Sequence, residues 1–277
     1  MDTDQRITAV LALRGAQRVV VFTGAGVSAE SGIPTFRDAG GFWQLFPPET
    51  FATWNGLLRT AVLRPRLLAE FVLNVVEPVA AAVPNAAHRA IAQLAQNVPT
   101  TVVTQNIDGL HQAAGSTSVL EIHGSLLEVV DVSTGRLVHQ FGRDELQSIS
   151  RTLREYVAGE RSLASSALLL RRQFPLDWRG RHRPNLVLFG DALAEPAWTH
   201  AGRAVDACDT LISVGTSGAV YPAALLPSRA EAHGATVITV DPQPAAGCWL
   251  EGPAGDVLPR LIADAFESRA SPPVPEC

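Results

Sequence analysis

Val19-Val20-Val21-Phe22-Thr23-Gly24-Ala25-Gly26-Val27-Ser28-Ala29 is the stretch on which the fold turns. A β-branched apolar run without polar alternation reads as a strand covered on both faces. The glycines behind it let the chain turn sharply into the next element. The loop fits G-x-G-x-x-A, where the glycines permit a tight turn and close approach of backbone to a pyrophosphate. Alone, that motif is equally an ordinary strand-to-helix turn. The dehydrogenase form carries an acid at the end of a second strand about 20 residues later. Here Ser31-Gly32-Ile33-Pro34-Thr35-Phe36-Arg37-Asp38 fills that place and reads as a loop. A nucleotide site is supported; a standard hydride-transfer enzyme is not.

Outward from this stretch, similar runs recur at Thr100–Thr104, Val119–Ile122, Leu186–Phe189, Leu211–Val214 and Thr236–Val240. Helical patterns separate them: Asn85–Gln96, with Asn85 as its cap after Pro84, then Glu195–Ala207, Pro222–Ala232 and Ala254–Phe266. The expected fold is α/β, a Rossmann-like doubly wound parallel sheet. Two stretches break the alternation. Gly40–Val83 reads as helical through Leu57-Leu58, Val62-Leu63 and Leu67-Leu68. Gly124–Arg183 opens with a hairpin around Thr134-Gly135 and continues as a helix from about Asp144 to Arg172. The expected division is residues 1–39, 84–125 and 184–267 for the nucleotide domain, and 40–83 with 126–183 for a smaller, mainly helical domain formed by two insertions. The tail, 268–277, is expected to be disordered.

The 277 residues are 47% hydrophobic, enough for a sizeable core, and the net charge is −5. That balance offers no standing basic footprint, so neither nucleic acid nor an anionic membrane is an expected partner. No apolar stretch is long enough to span a bilayer. The start, Met1-Asp2-Thr3-Asp4, is acidic and no long apolar run follows, so no signal peptide is expected. Cys208, Cys248 and Cys277 are scattered, giving neither a disulfide framework nor a thiolate metal site. A reducing cytoplasm is the expected location. All 22 basic residues are arginine, a compositional bias.

In an open parallel sheet, ligands bind beyond the carboxyl ends of the strands. Behind the expected strands stand Thr23–Ala29, Gln105-Asn106-Ile107-Asp108-Gly109-Leu110-His111, His123-Gly124, Gly190-Asp191, Gly215-Thr216-Ser217 and Asp241-Pro242. Most of the glycines and polar groups a nucleotide needs therefore fall at one edge. Helix capping would explain Asn106 or Asp108 but not Gln105, Asn106 and Asp108 together. His123 alone would pass for a buried histidine bonded to backbone; facing that loop, it is a candidate acid–base group.

GAGVSAESGIPTFRDAGGFW (24–43), TQNIDGLHQAAG (104–115), IHGS (122–125), RPNLVLFGD (183–191), GTSGAVYPAA (215–224) and AGDVLPRL (254–261) resemble, in order, the motifs of the sirtuin family. The resemblance implies an NAD-dependent protein lysine deacylase that releases nicotinamide and 2′-O-acyl-ADP-ribose. It implies His123 as the base on the ribose hydroxyls, Asp108 holding the nicotinamide carboxamide, and Asn106 and Gln105 orienting ribose and water. Phe36 would cover the reacting centre and Arg37 order the mobile loop. Gly24, Ala25, Gly26, Gly215, Thr216, Ser217 and Asp241 would line the dinucleotide. Phe189-Gly190 and Gly218-Ala219-Val220 would flank an acyl-lysine peptide as strands. Such an enzyme, lacking lysine, could not act on its own side chains.

The chain departs from the family in one large respect. Most sirtuins carry two C-x-x-C pairs for structural zinc, and here no cysteine lies between His123 and Arg183. His139 and His182 are too few for a closed site, so no zinc is expected, and Leu146, Ile149, Leu153 and Val157 would hold the small domain instead. Asp241 stands where the family usually has Asn. Val72 and Val75 stand where desuccinylating members carry Tyr and Arg, which favours a neutral or apolar acyl group. Alternatives that stay open are a sirtuin-fold NAD hydrolase or ADP-ribosyltransferase, a non-catalytic NAD sensor, and an acylated small amine as substrate. Oligomeric state is not legible.

Overall fold

The computed structural model describes residues 3–35, 42–175 and 180–266. Its nine strands are β1 (Val19–Thr23), β2 (Thr100–Thr104), β3 (Val119–Glu121), β4 (Gly124–Asp131), β5 (Leu137–Gln140), β6 (His182–Leu186), β7 (Thr210–Val214), β8 (Thr236–Asp241) and β9 (Cys248–Glu251). The helices run α1 (Thr3–Gly15), α2 (Phe42–Leu45), α3 (Pro48–Phe51), α4 (Trp54–Leu63), α5 (Pro65–Ala81), α6 (Ala86–Asn97), α7 (Leu110–Ala113), α8 (Arg143–Ala158), α9 (Leu163–Gln173), α10 (Ala197–Ala207), α11 (Leu226–Ala232) and α12 (Ala254–Phe266).

Six strands form one sheet in the order β3-β2-β1-β7-β8-β9, and every pairing in it is parallel. All five residues of β1 and of β7 are buried, as expected of strands covered on both faces. One face is covered by apolar residues of α1, α6 and α12, among them Leu13, Leu94 and Leu258. The other is covered by α10 and α11 through Val205, Leu226 and Ala230. This is the expected doubly wound sheet. Asn85 caps α6, its side chain accepting from the backbone of Ala87 and His88.

Two expectations need correcting. Leu186–Phe189 is not a strand of the parallel sheet. Only Leu186 is in a strand, at the end of β6, which runs antiparallel to β4. The backbone bonds beyond it go elsewhere: Val187 donates to His123 and Phe189 donates to Ala52. With those groups committed to a loop and to the helical insertion, none is left for a parallel neighbour. The sheet's sixth strand is instead β9, whose four residues are too short a run to stand out in the sequence. Second, the long helix expected from Asp144 to Arg172 is two helices. Gly159 ends α8 in the left-handed conformation at φ 82°, and Ser162 caps α9. The hairpin expected around Thr134-Gly135 is present as β4–β5, and β6 joins it to give the three-stranded sheet β5-β4-β6 beside the helices of the insertions.

The two insertions share a core. Leu146, Ile149 and Leu153 lie on one face of α8 and pack with Ala69, Leu73, Val76 and Ala80 of α5, while Val157 is partly buried at the margin. Both sets follow helical spacing, so each helix offers one apolar stripe to the other. A second cluster joins Phe42, Phe46 and Phe51 with Phe71. Among the described residues no single helix is long and apolar enough to cross a membrane.

Candidate active site

The sheet reverses its winding between β1 and β7, and the loops after these strands meet there. Gly24 N–H donates to the Val214 carbonyl (3.1 Å), and Gly26 N–H to that of Gly215 (3.0 Å). A Cβ on Gly26 would stand 2.7 Å from Gly215 Cα. One on Gly215, itself at φ +57°, would stand 2.6 Å from Val27 N. These glycines thus allow two backbones to touch at the switch point. Behind them the chain forms a 3-10 helix, Ala25–Ser31, rather than the long α-helix of the dehydrogenase motif.

Ser28 is buried at the hub of this mouth. Its hydroxyl donates to Asp108 Oδ2 (2.7 Å) and accepts from Asn106 Nδ2 (3.0 Å). Asn106 Nδ2 also donates to the Gly24 carbonyl (3.2 Å). Because a carbonyl only accepts, that bond fixes which end of the amide is nitrogen and leaves Oδ1 as the end turned from Gly24. Asp108 Oδ1 accepts from Leu110 N–H (2.9 Å), so capping explains one of its oxygens and Ser28 the other. Burial raises the Asp108 carboxyl above its usual range, opposed by the Leu110 and Ser28 bonds.

His123 lies two residues beyond β3, half-buried, with Nδ1 3.0 Å from the Gln105 carbonyl. The acceptor obliges Nδ1 to carry the proton, so the lone pair sits on Nε2. Burial lowers this histidine's pKa, opposed by the bond to Gln105. The ring is therefore neutral at pH 7, with Nε2 able to take up a proton. Among the expected residues, hydrogen bonds thus connect Gly24, Asn106 and, through Ser28, Asp108 in one set, Gly26 with Gly215 in a second, and Gln105 with His123 in a third.

Other expected residues stand at the same edge without such links. Thr216 Oγ1 is 3.3 Å from Ser213 Oγ, and Asp241 Oδ1 accepts from Gln243 N–H (2.8 Å) in a turn. Ala25 is half-buried, while Ser217, Gly218 and Ala219 are exposed and Val220 half-buried. Phe189 is 57% exposed, and Gly190 takes φ +93°. Phe36 and Arg37 lie outside the described residues.

Ser28, His88, His111 and Glu121 were not among the sequence's candidates. His88 is fully buried, with Nε2 3.4 Å from Ser28 Oγ and Nδ1 2.9 Å from Asn85 Oδ1. Its ring is 4.9 Å from that of His111, whose Nε2 lies 3.0 Å from Thr23 Oγ1. Burial, then the Arg89 charge, lowers His88 to about 4, and burial, then His88, lowers His111 to about 3. Burial, then Glu128, pushes Glu121 up to about 7. The Asn85-x-x-His88 spacing at a helix start was the available signal for His88. Ser28 offered none, since a serine in a glycine loop reads as turn chemistry.

The donors present do not fit a closed zinc site. His139 Nε2 is 3.0 Å from Glu145, and His182 Nδ1 is 2.7 Å from the Pro175 carbonyl. Among the described residues no three metal-binding side chains gather.

The Sir2 family profile matches residues 24–222. An NAD-dependent protein deacylase 1 of Pseudomonas aeruginosa is 43% identical over 276 residues, covering 92% of this chain and 96% of that protein. A Sir2 homolog solved in complex with NAD superposes with a TM-score of 0.74 at 30% identity, covering 95% of this chain and 94% of that one. Sir2Af2 bound to a myristoylated histone peptide gives a TM-score of 0.67 at 31% identity, covering 97% of this chain and 99% of that one. Profile, sequence and fold agree across the strand-end motifs and the switch-point mouth: the chain belongs to the Sir2 family.

Proposed function

We propose that the mouth between β1 and β7 binds NAD beside His123 and that the chain uses it to strip acyl groups from protein lysines. The protein is an NAD-dependent protein deacylase, the activity by which its Pseudomonas relative is named. One observation carries the site assignment: a neutral imidazole with its Nε2 lone pair available, next to the Ser28–Asn106–Asp108 hub. NAD supplies the ribosyl acceptor and the nicotinamide leaving group. His123 Nε2 takes the proton from a ribose hydroxyl, a task suited to a base of pKa near or below neutrality. Asp108, its carboxyl raised above the usual range by burial and fixed by Ser28 and Leu110, holds the nicotinamide carboxamide. Asn106 Oδ1 and Gln105 orient ribose and water. Gly24, Ala25, Gly26, Gly215, Thr216, Ser217 and Asp241 line the dinucleotide, and Phe36 and Arg37, outside the described residues, are assigned to the same cofactor.

Phe189-Gly190 and Gly218-Ala219-Val220 flank the acyl-lysine peptide, a case of strand addition supported by the exposure of Phe189, Gly218 and Ala219. Val72 and Val75 are partly buried against the small-domain core, which supports a neutral or apolar acyl group. The myristoylated peptide held by Sir2Af2 supports the same choice. The small domain, drawn at residues 40–83 and 126–183, is read as zinc-free and held by α5–α8 packing. The location is read as cytoplasmic, which the scattered thiols support.

The experiment is a panel of acyl-lysine peptides with NAD, read by mass spectrometry for 2′-O-acyl-ADP-ribose, in wild type and His123→Ala. Product in wild type and its loss in the variant are expected. Undiminished turnover in His123→Ala would overturn the role assigned to that residue. Rapid nicotinamide release from NAD alone would favour a hydrolase, and turnover confined to acylated small amines would move the substrate class. Elemental analysis of the purified protein is expected to find no stoichiometric zinc; one zinc per chain refutes that assignment.

A further inference from the structure

Trp54 opens α4, and its indole N–H donates to Asp191 Oδ2 at 2.8 Å. The same oxygen accepts the Leu188 N–H at 3.1 Å, while Asp191 N–H donates to the Leu188 carbonyl at 3.0 Å. One carboxylate thereby closes the turn 188–191, with Gly190 supplying the positive φ of +93° that the turn needs. A second tie runs beside it, from Phe189 N–H to the Ala52 carbonyl at 2.8 Å. The Arg183 guanidinium covers the indole, 5.0 Å from the ring centroid. Trp43, from α2, meets Phe189 at 6.2 Å between ring centroids. Three residues of the helical insertion, Trp43, Ala52 and Trp54, thus converge on a turn whose tip carries an exposed phenylalanine.

We infer that Trp54 and Asp191 form a latch through which the helical insertion positions the Phe189-Gly190 wall of the acyl-lysine groove. The inference rests on the groove assignment made above. The turn owes little to either sheet: its backbone bonds go to its own carboxylate and to the insertion. Charge-assisted bonds to a half-buried carboxylate are stronger than neutral ones, so a turn held this way keeps one conformation without substrate. A strand-adding peptide then meets a preformed edge and is spared the entropy of ordering it. Trp54 and Asp191 are positioning residues. No bond in this set reaches Ser28, Asn106 or Asp108, and among the described residues its only tie to His123 is that residue's backbone carbonyl, which accepts from Val187 just before the turn, so the latch should govern peptide binding and leave NAD binding alone.

The test is Trp54→Phe, which keeps an aromatic ring under Arg183 and removes the N–H donor along with the second ring of the indole. Steady-state kinetics with an acyl-lysine peptide and NAD should show the peptide KM raised about 10- to 100-fold, the size of one lost charge-assisted bond. The NAD KM, kcat and Tm should stay close to wild type. Asp191→Ala should raise the peptide KM at least as much, and Trp54→Phe combined with Asp191→Ala should add nothing further, because both remove the same bond. An unchanged peptide KM in Trp54→Phe overturns the latch, as do additive effects of the two changes or a parallel rise in NAD KM with a fall in Tm. If wild type itself turns over no acyl peptide, the groove assignment fails and takes the latch with it. If wild type yields acyl-ADP-ribose and Trp54→Phe matches it at every peptide concentration, only the latch fails.

Discussion

His123 is useful because of what holds it. The Gln105 carbonyl fixes the tautomer, and burial lowers the pKa, so the neutral form persists at and below the ordinary histidine value. A base works only when deprotonated. Activity should therefore be complete above the folded-state pKa and fall as pH drops through it. The acid limb of kcat/KM against pH is expected below pH ~6.5, the unperturbed histidine value. A limb centred clearly above that value would contradict the neutral-base assignment. Ser28 makes a second prediction at this scale. Its hydroxyl serves Asn106 and Asp108 together, so Ser28→Ala leaves two buried polar groups short of a partner. The cost of such a loss is roughly 1–3 kcal/mol, or about 10- to 100-fold. The fall should appear in kcat/KM for NAD, with peptide KM little changed; equal kinetics in the variant would remove Ser28 from the site.

Among the elements, the decisive one is the crossing of the loops after β1 and β7. Gly24 and Gly26 were legible as a nucleotide-loop motif, but the partner that demands them is Gly215, more than half the chain away. A Cβ at Gly26 would fall within 3 Å of two Gly215 backbone atoms, and backbone cannot swing aside as a side chain can. Gly26→Ala should therefore separate the two loops and weaken NAD binding by at least ~10-fold in titration calorimetry, since overpacking a close contact costs about 1–3 kcal/mol. Unaltered NAD affinity would show that the crossing does not shape the site. The helices were legible where one apolar stripe met solvent on the other side, as in α6 and α12. Gly159, which divides α8 from α9, lies inside the span read from sequence as one helix. Only its φ of 82° identifies it as a cap.

Over the whole molecule, buried ionisable groups set the response to acid, and they pull in opposite directions. His88 and His111 are lowered to about 4 and about 3, so between those values and ~6.5 the unfolded chain binds protons that the native chain refuses. Their stability contribution is intact above ~6.5 and is lost as pH falls through that window. Glu121, raised to about 7, is protonated in the native state from there down to its ordinary value and gains stability as pH falls over that span. Two histidines outweigh one glutamate, so Tm should decline from pH ~6.5 toward ~4.5. Glu121→Gln deletes the opposing contribution, and its Tm should fall more steeply over that range. A shallower acid decline in the variant would show the sign of the Glu121 contribution to be wrong.

The sequence by itself determined the doubly wound sheet and the strand-end edge at which His123, Asn106 and Asp108 lie. Each of these follows from local chemistry: continuous apolar runs exclude water from both faces, and polar residues at their ends have nowhere else to gather. Only the tertiary structure decided that 187–189 serves the helical insertion rather than the sheet, that β9 completes the sheet, and that Ser28 ties Asn106 to Asp108. Those outcomes depend on which distant backbone or side chain satisfies a given donor, and hydrogen bonds across 80 or 137 residues leave no periodicity along the chain.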